Sequence, residues 1–169
     1  MIAQALVLFC LPFLLVVAAG WDLTTFRIPN FLSLVLGVLF VVFVMVAGRD
    51  LSFIGWHLLA GLSGLLAGFI LFALRAIGGG DAKLFAVVAL WLGFGDLLPY
   101  AVLVSICGGV LTLALLVARQ WPLPARLTRH AWVLALHDTR AGIPYGVALA
   151  TAGCLLLPHT EIFRLAARA

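Results

Sequence analysis

Hydrophobic residues fall into six uninterrupted runs separated by shorter polar segments. The runs cover residues 2–20, 31–47, 53–74, 82–95, 97–118 and 141–157. A helix needs about 20 apolar residues to cross the hydrocarbon core of a bilayer, and these runs take up most of the chain. The pattern therefore predicts an all-α integral membrane protein of six transmembrane helices, of which the fourth is the shortest.

Composition supports one membrane domain over residues 1–169. The chain is 66% hydrophobic and 9% charged, with a mean hydropathy of +1.28, whereas soluble domains are about half apolar and a quarter charged. No polar linker or internal repeat divides it, so we expect no soluble module. The first run lacks a basic n-region and is too long for a signal peptide, which favours a retained span.

The positive charges indicate orientation. Lys and Arg flank the runs instead of forming one patch, so the net charge of +4 fits lipid as a partner and not nucleic acid. Alternate loops carry seven Lys and Arg on one side and three on the other. Because positive loops stay in the cytoplasm, both termini are predicted to be periplasmic. The seven are Arg27, Arg75, Lys83, Arg119, Arg126, Arg129 and Arg140.

Two of the six carboxylates call for an explanation. Asp50, Asp138 and Glu161 each lie near an arginine in a polar segment and read as solvated charges. Asp22 ends the first run and Asp81 follows the third, so both belong to the predicted cytoplasmic boundary. Two neighbouring acids share one proton, as in aspartyl proteases, which need no metal or cofactor. The alternative is that Asp81 is an ordinary helix N-cap and Asp22 a helix-end charge.

Three segments in order resemble motifs of the type IV prepilin peptidases, most closely the short form that serves tight-adherence (Flp) pili. They are DLTTFRIPN at 22–30, GGGDAKL at 78–84 and GIPYGVA at 142–148. The resemblance implies that Asp22 and Asp81 are the catalytic pair. It also implies a prepilin or pseudopilin substrate, cut at the cytoplasmic face of the bacterial inner membrane. Longer members have a paired-cysteine extension and methylate their product; this sequence shows neither feature, so methyltransferase activity is not expected.

The glycines before Asp81 have two predicted uses. Without Cβ atoms, Gly78 and Gly80 would let a substrate backbone approach and let the chain turn sharply into the next helix. Lys83 points to a different helix face from Asp81. We expect Lys83 to anchor the topology in preference to contacting substrate.

The other two motifs supply further supporting residues. Ile28, Pro29 and Asn30 are predicted to form the turn beside Asp22, with Asn30 capping the second helix. Pro144, Tyr145 and Gly146 would interrupt regular bonding early in the sixth span. That interruption either opens a polar edge near the active face or is a packing kink.

A second G-x-G-D sequence ends at Asp96. It falls at the other end of the fourth run, roughly 22 Å from Asp81 at 1.5 Å per residue. We therefore do not expect Asp96 to be catalytic.

Three alternatives to the peptidase are disfavoured. A transporter or pilus-assembly scaffold would use acids along an ion path, but Asp22 and Asp81 lie at one face instead of mid-membrane. A serine protease would use Ser63 in a G-x-S-G sequence. His57 lies on another face of that helix, and small residues in a helix-packing seam explain the sequence better. No H-E-x-x-H or C-x-x-C occurs, which disfavours zinc.

The sequence of the loop 119–140 has two interpretations. Leu127, Ala131, Leu134 and Ala135 recur at helical spacing. The segment is either a short helix at the membrane surface or a polar connector.

Overall fold

The computed structural model describes residues 1–168, with side chains to residue 167. These residues form helices and their connections. A π turn at Leu6–Cys10 lies inside the first helix, and short 3-10 turns occupy Leu127–Arg129 and Leu157–His159. The helices are α1 Ile2–Thr25, α2 Asn30–Ala47, α3 Leu51–Ala73, α4 Gly79–Leu92, α5 Phe94–Ala118, α6 Ala131–His137, α7 Tyr145–Leu156 and α8 Glu161–Arg168.

Four helices, α1, α2, α3 and α5, are long and apolar enough to cross a membrane. A fifth span results if α7 and α8, which are bent by 57° relative to each other, count as one broken span. Helix α4 has 14 residues and is about 21 Å long, shorter than the roughly 30 Å hydrocarbon core. The chain is therefore a multi-pass membrane protein, and six spans remain a prediction.

The predicted boundaries fail in the fourth run, because α4 ends at Leu92 and not at residue 95, and in the last hydrophobic run. Its residues 141–144 are not helical, because Pro144 disfavours helical conformation in the residue before it and α7 begins at Tyr145. The amphipathic helix α8, which buries Ile162 and Ala166, was not predicted. In the loop 119–140, α6 confirms a short helix, and its position at the membrane surface stays a prediction.

Glycines allow α3 and α4 to pack closely. A methyl group on Gly64 would lie 3.1 Å from Cβ of Ala89, and one on Gly68 would lie 2.9 Å from Cα of Ala82. Gly61 also faces α4. The packing-seam explanation of the G-x-S-G sequence is therefore confirmed for Gly61 and Gly64. The seam also holds the first turn of α4, which carries Asp81.

Two buried aromatic donors connect the remaining helices. The indole N–H of Trp91 in α4 donates to the carbonyl of Leu36 in α2 at 2.9 Å. The hydroxyl of Tyr100 in α5 donates to the carbonyl of Leu149 in α7 at 3.2 Å. Buried Trp and Tyr need such partners, so these bonds fix the depth of α4 against α2 and of α5 against α7.

The two chain ends lie together, away from the acids of the sequence motifs. Met1 and Ala3 share a small cavity with Leu165 and Ala166 beside the end of α2. Since α1, α2, α3 and α4 run antiparallel in turn, the loops 25–30 and 73–79 lie at the opposite end of the bundle. The side of the membrane that each end faces remains a prediction.

Gly68→Ala should lower the thermal stability of the purified protein in detergent. The added methyl group meets backbone and Cβ of Ala82, and overpacking of this kind costs about 1–3 kcal/mol. Gly55→Ala in the same helix is the control, because nothing lies within 4 Å of the new methyl group. Equal melting temperatures for the two variants would contradict the seam.

Candidate active site

Asp22 lies one turn before the end of α1 and is 4% exposed. Its Oδ2 accepts a hydrogen bond of 2.7 Å from the backbone N–H of Gly146. Gly146 is the second residue of α7, so its N–H is one that the helix leaves without an internal partner. A carboxylate is also favoured at a helix N-terminus by the helix dipole. The third sequence motif thus holds the acid of the first.

The chain turns back directly after Asp22. Phe26 adopts the left-handed conformation, with φ of 54°, and donates its N–H to the carbonyl of Asp22 at 2.8 Å. Pro29, in extended conformation, then begins α2. Between them, the buried side chain of Ile28 folds beneath the end of α1.

Asp81 is the third residue of α4. Its Oδ2 accepts the backbone N–H of Gly78, the N-cap residue, at 3.0 Å. The alternative interpretation, in which Asp81 is itself the N-cap, is wrong: Asp81 is the N3 residue, and its side chain accepts the N–H of the N-cap glycine as in one half of a capping box. The pKa of the Asp81 carboxyl is raised above its ordinary value by burial, and the hydrogen bond from Gly78 offsets part of this rise.

Ile28 links the surroundings of the two acids. A methyl group on Gly146, which bonds Asp22, would lie 2.7 Å from Cδ1 of Ile28. One on Gly80, the neighbour of Asp81, would lie 3.1 Å from Cβ of Ile28. Ile28 thus lies between residues that adjoin the two acids, so both carboxyls belong to the same end of the bundle. In the described part of the chain, no hydrogen bond joins them directly.

A cavity of about 410 Å³ opens beside Asp81, between α3, α5 and α7. Its described lining includes Asp81 and Tyr145 but not Asp22, which is buried against Gly146. Small residues of α5, Ser105 and Gly109, lie along its wall. Of the two acids, Asp81 is thus the one that faces open space.

The glycines before Asp81 do not serve one of their two predicted uses. The sharp turn is made by Arg75, with φ of 58°, whose N–H and that of the next residue close the end of α3 in a Schellman arrangement. The prediction that the glycines make the turn is wrong, because the helix end supplies it. The missing Cβ atoms instead admit neighbours from this chain, Asp81 at Gly78 and Ile28 at Gly80.

Asn30 and Lys83 form a bond that the sequence did not suggest. The ammonium of Lys83 donates to Oδ1 of Asn30 at 2.8 Å. The predicted capping role of Asn30 is wrong, because Pro29 is the N-cap and Asn30 already lies in the first helical position. This exposed bond joins the start of α2 to the first turn of α4, next to Asp81.

The third motif marks the start of a helix. Pro144 is the N-cap of α7, followed by Tyr145 and Gly146, so the predicted interruption inside a span is wrong. The ring of Tyr145 packs on α5, where a methyl group on Gly108 would lie 2.9 Å from its Cε1. The role of Gly108 was not predicted. Ile28 is predicted to help set the turn beside Asp22, but its contacts with Gly80 and Gly146 were not predicted.

Asp96 lies at the opposite end of α4, as predicted. It lines a separate cavity of about 550 Å³ with His57 and Glu161. The ring Nδ1 of His57 bonds the carbonyl of Leu90 at 2.8 Å. That contact to α4, together with stacking on Phe53 at 4.1 Å, gives His57 a structural place and decides against the serine protease.

Comparison with known proteins identifies the family. The sequence model of the type IV leader peptidase family matches residues 9–113, which is more than half of the chain. The chain therefore belongs to this family of aspartic endopeptidases, which cleave the leader peptides of prepilins. No curated protein and no solved structure matches it. The matched segment contains Asp22 and Asp81 and ends before Gly146.

Gly146→Ala should reduce leader cleavage by at least about tenfold per folded enzyme. Its methyl group would lie 2.8 Å from Oδ2 of Asp22, and misplacing a reacting group by about 1 Å costs up to a hundredfold. Gly142→Ala in the same motif is the control, with nothing within 4 Å of the added methyl group. Comparable initial rates for the two variants would show that the contact with Asp22 does not matter.

Proposed function

We propose that Asp22 and Asp81 are the catalytic pair with which this peptidase hydrolyses prepilin leaders. The observation that carries the proposal is their placement. Acids from two sequence motifs lie at one end of the bundle, where Ile28 contacts the surroundings of both, and one of them lines a cavity. An acid placed within a membrane protein is costly and commonly marks a functional site, which favours a shared function for the two acids.

The chemistry follows from one proton shared by two carboxyls. The ionised carboxylate takes a proton from water, and the water oxygen bonds to the carbonyl carbon of the scissile peptide. The protonated carboxyl donates to the carbonyl oxygen and stabilises the tetrahedral intermediate. The C–N bond then breaks as the leaving amine receives a proton, and the pair returns to its initial state.

The cavity beside Asp81 is the proposed place for the cleavage segment of the substrate. Its glycine and serine wall gives an extended backbone room to approach. Asp22 keeps its bond to Gly146 through Oδ2, and its other carboxyl oxygen is proposed to reach the same peptide bond when substrate draws the two acids together. A substrate-induced adjustment of this size is common, since catalytic contacts often tighten only when substrate is bound.

The finer assignments rest on the sequence. The three motifs support the short, tight-adherence form, and the hydrophobic runs support one domain with six spans, the fourth beginning after Asp81. The seven-to-three distribution of Lys and Arg supports a cytoplasmic position for the acids in a bacterial inner membrane. Eight further residues are proposed to support the pair by shaping its surroundings. They are Gly78, Gly80, Pro29, Asn30, Lys83, Pro144, Tyr145 and Gly146.

A reporter fused to the C-terminus should behave as a periplasmic protein. The chain ends and the proposed catalytic pair lie at opposite ends of the bundle, and the more positive end is expected to face the cytoplasm. Alkaline phosphatase fused after residue 169 is expected to be active, and a fluorescent protein that folds only in the cytoplasm to be dark. The reverse pattern would overturn the orientation.

Asp22→Asn and Asp81→Asn should each abolish cleavage of a prepilin, whereas Asp96→Asn should leave it within about twofold of wild type. Asparagine keeps the shape of the side chain and removes the ionisable proton. Asp96 is the matched control because it occupies an equivalent G-x-G-D sequence at the other end of α4. Initial rates on purified substrate, with products sized by mass spectrometry, provide the measurement.

The double variant Asp22→Asn/Asp81→Asn distinguishes joint chemistry from separate folding effects. When residues act as one unit, the effects of substituting them do not add, so the double variant should cleave little more slowly than either single variant. Full activity of a well-folded Asp22→Asn protein would refute the pair.

A further inference from the structure

The side chain of Arg119 binds three backbone carbonyl groups. Arg119 directly follows α5 and is partly buried. Its Nε donates to the carbonyl of Leu136 at 2.8 Å. One terminal nitrogen donates to the carbonyls of Ala141 and Gly142, at 3.3 and 3.2 Å. One side chain thus ties the end of α5 to α6 and to the connection that enters α7.

Guanidinium chemistry suits this position. The group is planar, always charged and carries five donors in a fixed fork, so one arginine satisfies several carbonyls at once. Bonds from a charged donor are also stronger than neutral ones. The carbonyl of Leu136 lies at the C-terminal end of α6, where a cation is favoured. By contrast, Arg126, Arg129 and Arg140 of the same loop are exposed.

The segment that Arg119 holds leads directly into the candidate active site. Gly142 is followed after one residue by Pro144, which is buried. Tyr145 then lines the cavity of Asp81, and Gly146 donates to Asp22. The start of α7 therefore contributes to the surroundings of both acids, and Arg119 anchors the chain that precedes it.

We propose that Arg119 is a positioning residue of the peptidase, which holds the segment 141–146 so that Gly146 meets Asp22 and Tyr145 borders Asp81. The inference rests on the proposed roles of Asp22 and Asp81. Arg119 does not touch the substrate; it acts through the backbone that it binds. Its positive charge alone does not supply this function, because a lysine has the charge without the fork.

The test compares Arg119→Gln, Arg119→Lys and the control Arg129→Gln, which removes an exposed charge from the same loop. Hydrogen exchange of the segment 141–147 and steady-state cleavage are measured on the folded full-length enzyme in detergent. Both Arg119 variants should exchange this segment faster. Their kcat should fall by about 10- to 100-fold with KM within about twofold, because the geometry of Asp22 changes and the substrate contacts do not. Arg129→Gln should match wild type in both measurements.

Three results would overturn the proposal. Unchanged exchange in Arg119→Gln means that the side chain does not hold the segment. Wild-type exchange and kcat in Arg119→Lys mean that a positive charge is enough to hold the segment. If Arg119→Gln does not fold, Arg119→Lys alone provides the test. Faster exchange with unchanged kcat rejects the positioning role but leaves the catalytic pair intact, since Asp22→Asn tests that pair separately.

Discussion

The hydrogen bond from the N–H of Gly146 to the carboxylate of Asp22 is the constraint on which the site depends. A buried carboxyl in a membrane protein is costly unless it has a partner. The partner here is a backbone group at the start of α7, which a helix leaves free. The bond therefore satisfies two groups that would each be costly alone. It also requires α7 to begin where it does, with no side chain on residue 146.

The loops around this bond are held by further contacts. Ile28 fills the space beside Gly146 and also reaches Gly80, so the loop after α1 contacts the beginnings of both α4 and α7. The third connection, from α5 to α7, is tied down by Arg119. Three loops that are distant in sequence thus meet at one end of the bundle. Each acid stays on a helix end, which is a more rigid support than a free loop.

The parts of the fold that depend on local pattern were predictable from the sequence. Long apolar runs predict helices because a lipid-embedded backbone must satisfy its own hydrogen bonds. Alternation of the runs then places Asp22 and Asp81 on one side and Asp96 on the other. The short length of α4 and the first residue of α7 were harder to predict. A continuous run of apolar residues does not show that the loop extends as far as Pro144 and that the helix begins only after it.

The contacts that complete the site were not predictable, because no periodic pattern encodes them. The bond from Lys83 to Asn30 joins residues 53 positions apart, and that from Gly146 to Asp22 joins residues 124 apart. Each depends on how helices pack, not on the sequence near either residue. The left-handed conformation of Arg75 was not predicted either, because the glycines of the same loop were the expected turn residues.

The most direct measurement of the central claim is an experimental structure with a bound substrate analogue in which a hydroxyl-bearing carbon replaces the scissile carbonyl. Such a group resembles the tetrahedral intermediate and binds best where catalysis occurs. We expect its hydroxyl to lie within hydrogen-bond distance, about 2.5–3.0 Å, of both Asp22 and Asp81, with the peptide in the cavity beside Tyr145. A hydroxyl bound by Asp81 alone, with no contact to either carboxyl oxygen of Asp22, would contradict the account.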